Sequence, residues 1–387
     1  MQHLNIIPPL LQYIVMAMGV YTTGMVLPEL VSEFQLIPLE AGSISSLFTA
    51  IMAIVTFFGG YFSDRVGRGF VLTVGAALFS LPFLLVGFAT NYLTLLICYV
   101  FSGFGYGMYS PSLYAFMGEA SSTKKGLFVA LGTSAFSVGG FLGPLAAGFL
   151  THAYGWRFSY YNIGILGLVI LLIQLWVHKR FRTPKRLGTS MQKLKPKRYY
   201  QPIIKDRLVL LVCLGMFLAG FGFGAFLTWG PTFLRKVQNL EVLCASFIFS
   251  AFSIGGIVGA SVLGYLSDKF GRRILNVIVG VLSGFLFSLL YAYIHPFLSL
   301  LALLTILGFI FQPFWNLLLT LAQESVNPDF IGTVTGVTSS SAYVGSIISP
   351  LAVAALLSFT GLPQAMLICG AIPIFLYGLV LVGYKKR

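Results

Sequence analysis

Charged side chains are scarce. Only 9% of the 387 residues are Asp, Glu, Lys or Arg, where a soluble domain carries roughly 25%. Hydrophobic residues make up 57%, more than a soluble core can bury, so a soluble enzyme and a disordered chain are both excluded. Cysteine is sparse as well. Cys98, Cys213, Cys244 and Cys369 stand far apart, within or beside apolar runs. They have neither metal-ligand nor framework spacing, which excludes a disulfide scaffold and leaves no metal site to expect. The nucleotide loop G-x-x-x-x-G-K-[ST] is missing, and no His, Asp and Ser gather inside an apolar run. ATP-driven transport and enzyme chemistry therefore have no support, and no cofactor is expected.

What is present is apolar sequence in long runs. A bilayer-spanning helix needs roughly 20 such residues. Twelve runs qualify, at about 7–31, 40–62, 70–89, 92–118, 126–151, 156–178, 207–234, 241–267, 274–294, 297–322, 332–357 and 362–384. The fold class expected is an all-α polytopic membrane protein with twelve transmembrane helices in two six-helix bundles, since in lipid the backbone must satisfy its own hydrogen bonds. The first run lacks a basic start and a small-residue cleavage site, so it reads as a span and not as a removable signal peptide. Glycine, 43 of 387 residues, suits close helix packing in lipid.

The 24 basic residues are distributed unevenly. With the N-terminus in the cytoplasm, 21 fall in inner loops and the tail, and only Arg157, Arg235 and Lys236 fall outside. Both termini are thus expected on the cytoplasmic side of a cell or inner membrane. The net charge of +14 reads as this topology signal together with contact to anionic lipid. A nucleic-acid patch would need a soluble module, which the chain lacks. The single long polar stretch, 179–206, holds many of the basic residues and reads as a linker between bundles 1–178 and 207–387.

Spacing exposes an internal repeat. Gly60, Asp64, Arg65, Gly67 and Arg68 stand between the second and third runs; Gly264, Asp268, Lys269, Gly271, Arg272 and Arg273 stand between the eighth and ninth, 204 residues on. Gly139, Gly143 and Pro144, with Gly148, match Gly345, Ser349 and Pro350 at an offset of 206, and Pro28 matches Pro231 at 203. Such agreement indicates two homologous six-helix halves. These residues, above all the G-x3-D-R/K-x-G-R element in both halves, resemble the major facilitator superfamily of secondary transporters, and the resemblance covers essentially the whole chain. It implies two bundles rocking about a midplane substrate site.

Each Gly-Asp turn can act as an inner latch. Asp64 and Asp268 can accept hydrogen bonds at a helix start and pair with arginine. Gly60, Gly67, Gly264 and Gly271 permit the turn and close approach. The other reading is a turn that only fixes topology. Glu119 and Glu324, at matching places closing the fourth and tenth runs, are expected partners of Arg68 and of Arg272 or Arg273. The element Gly139-x3-Gly143-Pro144, with Gly148, resembles a motif found mainly in antiporting members, a lean toward efflux by exchange; plain helix packing explains it equally well.

All ten acids lie at run ends or in loops, and no Lys, Arg or His lies near a run centre. A charge there costs at least ~2.5–3.5 kcal/mol and is kept for function. Tyr99 stands where drug–proton antiporters of the family carry an arginine, which argues against ordinary drug/proton exchange. Missing buried Lys or Arg likewise argues against carriers of the oxalate or nitrate type. Glu29, beside Pro28, is the acid nearest a pore-facing run end and a candidate coupling group; an outer-rim acid in water is the alternative.

By the resemblance, the first, fourth, seventh and tenth spans line the cavity. Their middle thirds hold Tyr21 and Thr22; Tyr106, Tyr109 and Ser110; Phe223, Phe226 and Trp229; and Gln312, Trp315 and Asn316. The eleventh span adds Tyr343. Gln312 and Asn316 at i and i+4 would share one helix face. An uncharged chamber of aromatics, hydroxyls and amides best suits a small neutral or amphipathic organic solute. Lipid transport on the same scaffold and proton-coupled multidrug or metabolite efflux are the alternatives. Partners expected are that solute, a coupling proton or ion and membrane lipid, around a monomer without nucleic acid.

Overall fold

The computed structural model describes residues 6–119, 125–180, 206–327 and 330–382. Twelve segments among them are helical, long and apolar enough to cross a membrane. The first six are α1 (Ile7–Phe34), α2 (Pro38–Val66), α3 (Arg68–Val86), α4 (Tyr92–Glu119), α5 (Lys125–Tyr154) and α6 (Trp156–Arg180). Then come α7 (Arg207–Lys236), α8 (Val242–Phe270) and α9 (Arg272–Ala292). The tenth span is interrupted, as α10 (Phe297–Phe311) and α11 (Phe314–Glu324). After α12 (Ile331–Leu356), the twelfth is built of α13 (Leu362–Met366), a π-helical turn (Leu367–Ala371) and α14 (Ile372–Val380).

Several helices outrun their apolar stretches, because a helix stops where the backbone stops it. α2 continues through Arg65 to Val66. The next residue, Gly67, has φ 104°, and Gly271 after α8 has φ 93°. A side chain is strained in that region, so glycine is required. Nothing lies within 4 Å of a Cβ built on either one; backbone conformation is the whole reason. At the start of α7, Asp206 caps the helix, its carboxylate accepting from the amides of Leu208 (2.8 Å) and Val209 (3.4 Å).

By its contacts the chain forms two units, Met1–Ile37 with Leu47–Met191 and Pro38–Ser46 with Gln192–Arg387. The start of α2 thus groups with the second unit, whereas the sequence places it in the first. Most of the linker expected at 179–206 lies outside the described residues.

Lipid tails are as apolar as leucine, so helices in a bilayer associate through close packing of small residues. In the first unit, α5 crosses α1 where a Cβ on Gly143 would meet Met18 O at 2.7 Å. On Gly139 it would meet the Ala17 Cβ at 2.5 Å. The second unit repeats this crossing between α12 and α7: a Cβ on Gly345 would lie 2.7 Å from Phe221 N, and one on Gly224 2.8 Å from the Ser346 Cα. The repeat read from spacing is therefore also a repeat of packing. Pro144 and Pro350 both lie inside unbroken helices, and Gly148 is buried.

Candidate functional site

The second Gly-Asp turn forms an ion relay. Arg272, the first residue of α9, places Nη2 2.9 Å from Asp268 Oδ1 and Nε 2.6 Å from Glu324 Oε2. Asp268 sits one turn earlier in α8 and Glu324 closes α11, so a single guanidinium joins three helices. Its side chain is 24% exposed, and the two acids are 65% and 54% exposed. Pairs this open contribute about 0–1 kcal/mol each to stability. Arg273 also turns toward α14. Its Nε donates to Leu381 O (2.8 Å) and its Nη2 to Val382 O (2.5 Å), capping the end of α14.

In the first turn, Arg68 Nη1 donates to Ala115 O near the end of α4, and Arg65 is exposed. The side chains of Gly60, Asp64 and Glu119 lie outside the described residues. Gly264 differs from the expectation of close helix approach: nothing lies within 4 Å of a Cβ built there.

The opposite end of the first unit is held by a separate cluster. Arg157 grips Glu33 with two bonds (2.6 and 2.8 Å), Trp156 Nε1 donates to the same carboxylate (2.6 Å), and Arg157 reaches Ala89 O (3.2 Å). The guanidinium also covers the Trp156 ring at 4.5 Å. Both terminal nitrogens are directed at protein, which fits the reading of Arg157 as a positional anchor. Glu29, one turn before Glu33, is half-buried.

A side chain that touches a solute must keep some surface open and some polar capacity unused. In the first unit, much of that capacity is spent internally. Thr22 donates to Met18 O (2.9 Å) and Tyr109 to Pro9 O (2.9 Å). Tyr99, at the arginine's usual place, donates to Thr23 Oγ1 (3.0 Å) and shares a hydrogen bond with the Tyr160 hydroxyl. Tyr13 is the hub, and sequence reasoning missed it. Its hydroxyl meets Ser110 Oγ (3.2 Å) and accepts from Tyr106 (3.3 Å). Its ring lies 6.0 Å from Tyr114 and 6.2 Å from Phe136, and Tyr21 lies 6.0 Å from Phe136. Helical spacing could have found it: Tyr13 is eight residues before Tyr21, and Tyr114 eight after Tyr106, each on the same face. Ser110, Tyr114 and Phe136 remain half-open.

In the second unit, Phe226 is 1% exposed, with ring centroids 5.0, 4.9 and 5.2 Å from Phe249, Phe252 and Phe287. It is core. Trp229, 4% exposed, donates its indole N–H to Pro350 O at 3.1 Å. Phe223 stays half-open beside Phe314, at 6.2 Å. The interruption at 312–313 changes the expected amide pair. Gln312 ends α10, while Asn316 stands in the first turn of α11, so the two do not share a continuous helix face. Gln312 turns its Oε1 into the place where a Cβ of Gly256 would be. Asn316 is exposed, and beside it the Trp315 ring meets that of Tyr343 at 5.4 Å, tilted by 55°. Of the cavity residues expected in this unit, Phe223, Trp315 and Tyr343 stay half-open and Asn316 is exposed.

Twelve apolar spans, a twofold repeat of packing and an ion relay at a repeated Gly-Asp turn define a repeat-built membrane transporter scaffold. The family model of the Major Facilitator Superfamily matches residues 10–350 and 245–386, and the chain belongs to that superfamily. It is 25% identical over 363 residues to the cis,cis-muconate transport protein of Acinetobacter baylyi, covering 88% of this chain and 86% of that one. To the hexuronate transporter of Bacillus subtilis it is 26% identical over 374 residues, covering 90% and 86%. The fold matches the crystal structure of a bacterial homolog of the human lysosomal transporter Spinster with a TM-score of 0.81 at 14% identity, covering 100% of this chain and 99% of that one. This is an integral, multi-pass membrane protein of a transporter family.

Proposed function

We propose that the chain is a secondary active transporter working by alternating access, and that its cargo is a small organic solute with an unsaturated or aromatic body. The observation that carries this is the chemistry of the open faces. Ser110, Tyr114 and Phe136 in one unit, and Phe223, Trp315, Asn316 and Tyr343 in the other, offer rings, a hydroxyl and an amide, with no fixed charge. Aromatic faces take apolar bodies, and the few polar groups orient them.

The named relatives carry a muconate and hexuronates, which are acids, so the neutral solute read from the sequence is too narrow. A carboxylate can be held here without arginine. α11 begins within the span, and the start of a helix carries partial positive charge, with the Asn316 amide as a neighbouring donor. The solute is thus a weakly charged organic acid or its neutral analogue. Both termini lie in the cytoplasm in this reading, which the placement of 21 of 24 basic residues on that side supports. The Arg272 relay is then an inner latch, and Glu29 is the group that couples a proton. The protein works as a monomer.

The test is a melting-temperature screen of purified protein against muconate, a hexuronate, aromatic acids and their amides or esters, followed by counterflow in proteoliposomes. A ligand at 100 times its Kd stabilises by about 2.7 kcal/mol. Stabilisation by at least one unsaturated or aromatic solute, with counterflow of the same compound, is expected. Stabilisation only by strongly charged phosphates or by lipids would overturn the reading.

A further inference from the structure

The Arg272 relay has a support that the equivalent place in the first unit lacks. Asn276, one turn into α9 and fully buried, donates Nδ2 to the carbonyl of Arg272 at 2.8 Å. Its Oδ1 accepts from the hydroxyl of Tyr377 in α14 at 2.9 Å, and Tyr377 is fully buried too. Only one orientation of the amide fits. The atom facing a carbonyl must be the nitrogen, which leaves the oxygen for the phenol. Without Tyr377 the amide would be free to turn away. With it, the amide that holds the Arg272 carbonyl is itself held.

That side chain must reach Asp268 and Glu324 at once, through several rotatable bonds. Ordering such a chain costs about as much as two exposed ion pairs return. The relay is therefore close to balance, and fixing the starting point of the guanidinium helps decide whether it closes. The neighbouring Arg273 holds Leu381 O and Val382 O, so α14 meets α9 at two levels, Tyr377 and the helix end.

In the first unit, the residue 204 positions before Asn276 is Leu72, which is 1% exposed, and no tyrosine follows Tyr161 in α6. The polar support belongs to the second half alone.

We propose that Asn276 and Tyr377 are positioning residues for the latch, acting through Arg272, so that the twelfth span sets how firmly the relay holds. This rests on the latch reading of Arg272. Hydrogen exchange of the full-length protein in lipid nanodiscs tests both and needs no substrate. The variants are Glu324→Gln, Tyr377→Phe, the double variant, and Asn276→Leu, which copies the first half. Tyr377→Phe removes one oxygen and keeps the ring; it leaves the buried Asn276 Oδ1 without its donor, so the melting temperature should fall modestly while the fold is kept. We expect Glu324→Gln and Tyr377→Phe each to speed exchange about fivefold at the end of α11, the double variant to add nothing further, and Asn276→Leu to match. If Glu324→Gln loosens this segment but Tyr377→Phe leaves it unchanged, or the two effects multiply, the positioning role is wrong and the latch stands. Faster exchange confined to α14 in Tyr377→Phe, the sign of simple packing, also overturns it. If Glu324→Gln itself changes nothing, the latch reading fails and this inference with it.

Discussion

Two adjacent glycines in α8 should answer the same substitution to different extents. A Cβ on Gly255 would overlap Thr305 O and sit 2.7 Å from Phe309 N, both backbone atoms of α10. A Cβ on Gly256 would overlap the amide end of Gln312 and lie 2.8 Å from the Gln312 Cβ. Backbone cannot yield without prising two helices apart, whereas an amide end can rotate. Overpacking costs about 1–3 kcal/mol, and alanine recovers about 1 kcal/mol of helix propensity over glycine. Gly255→Ala then loses about 2 kcal/mol net, near the upper end of the clash. At about 2–4 °C per kcal/mol for a unit of this size, its melting temperature falls by about 4–8 °C. Gly256→Ala falls by less, about 2 °C or under, because the amide end leaves, the propensity term remains, and only the Gln312 Cβ at 2.8 Å has to shift. Evicting Gln312 should nevertheless change the affinity for any ligand found by screening. Melting curves in one detergent, with ligand titrations, decide the matter. If the two variants melt alike, the α8–α10 crossing is not packed as described.

Further outcomes follow from the same geometry. Arg272→Lys, which keeps charge but loses the forked donor set, should cut uptake at least tenfold at normal expression; wild-type uptake would mean that the relay only fixes topology. Asn316→Ala should raise the transport constant severalfold and leave the melting temperature alone, while Phe226→Leu should do the reverse; a matching pair of phenotypes would remove the distinction between open face and core. Glu33→Gln should lower the melting temperature, since it weakens the grip of Arg157 and Trp156, and the loss should shrink in high salt. Uptake in Glu29→Gln should lose whatever dependence wild type shows between pH 5.5 and 8, and a retained dependence would assign proton coupling elsewhere.

Much of the scaffold could be read from the residues. Twelve apolar runs became twelve spans, because lipid permits no other arrangement of so apolar a backbone. Glu324 was paired with the arginine doublet by its place in the repeat, and the structure puts it on Arg272. The interruption of the tenth span was not readable. Pro313 stands at the break, yet Pro28, Pro82, Pro111, Pro144, Pro231 and Pro350 all sit inside continuous helices. Residue type alone does not say which proline ends a helix. The aromatic face was hard to read for a related reason. With 36 phenylalanines and 19 tyrosines, a ring such as Phe226 looks the same in sequence whether it meets a solute or three other rings. Tyr13 was overlooked because it lies outside the middle third of its span, and only the hydroxyl network shows it as the hub.

The π turn at Leu367–Ala371 governs the phase of everything after it. Such a turn carries one residue more than an α-helical turn of the same height. Shortening it by a single residue would restore the ordinary winding and swing α14 by about 100°, carrying the Tyr377 phenol away from α9. The span would still cross the bilayer. An insertion of one residue has thus become a screw adjustment, turning the last helix of the chain until its hydroxyl and its terminal carbonyls face the same neighbour.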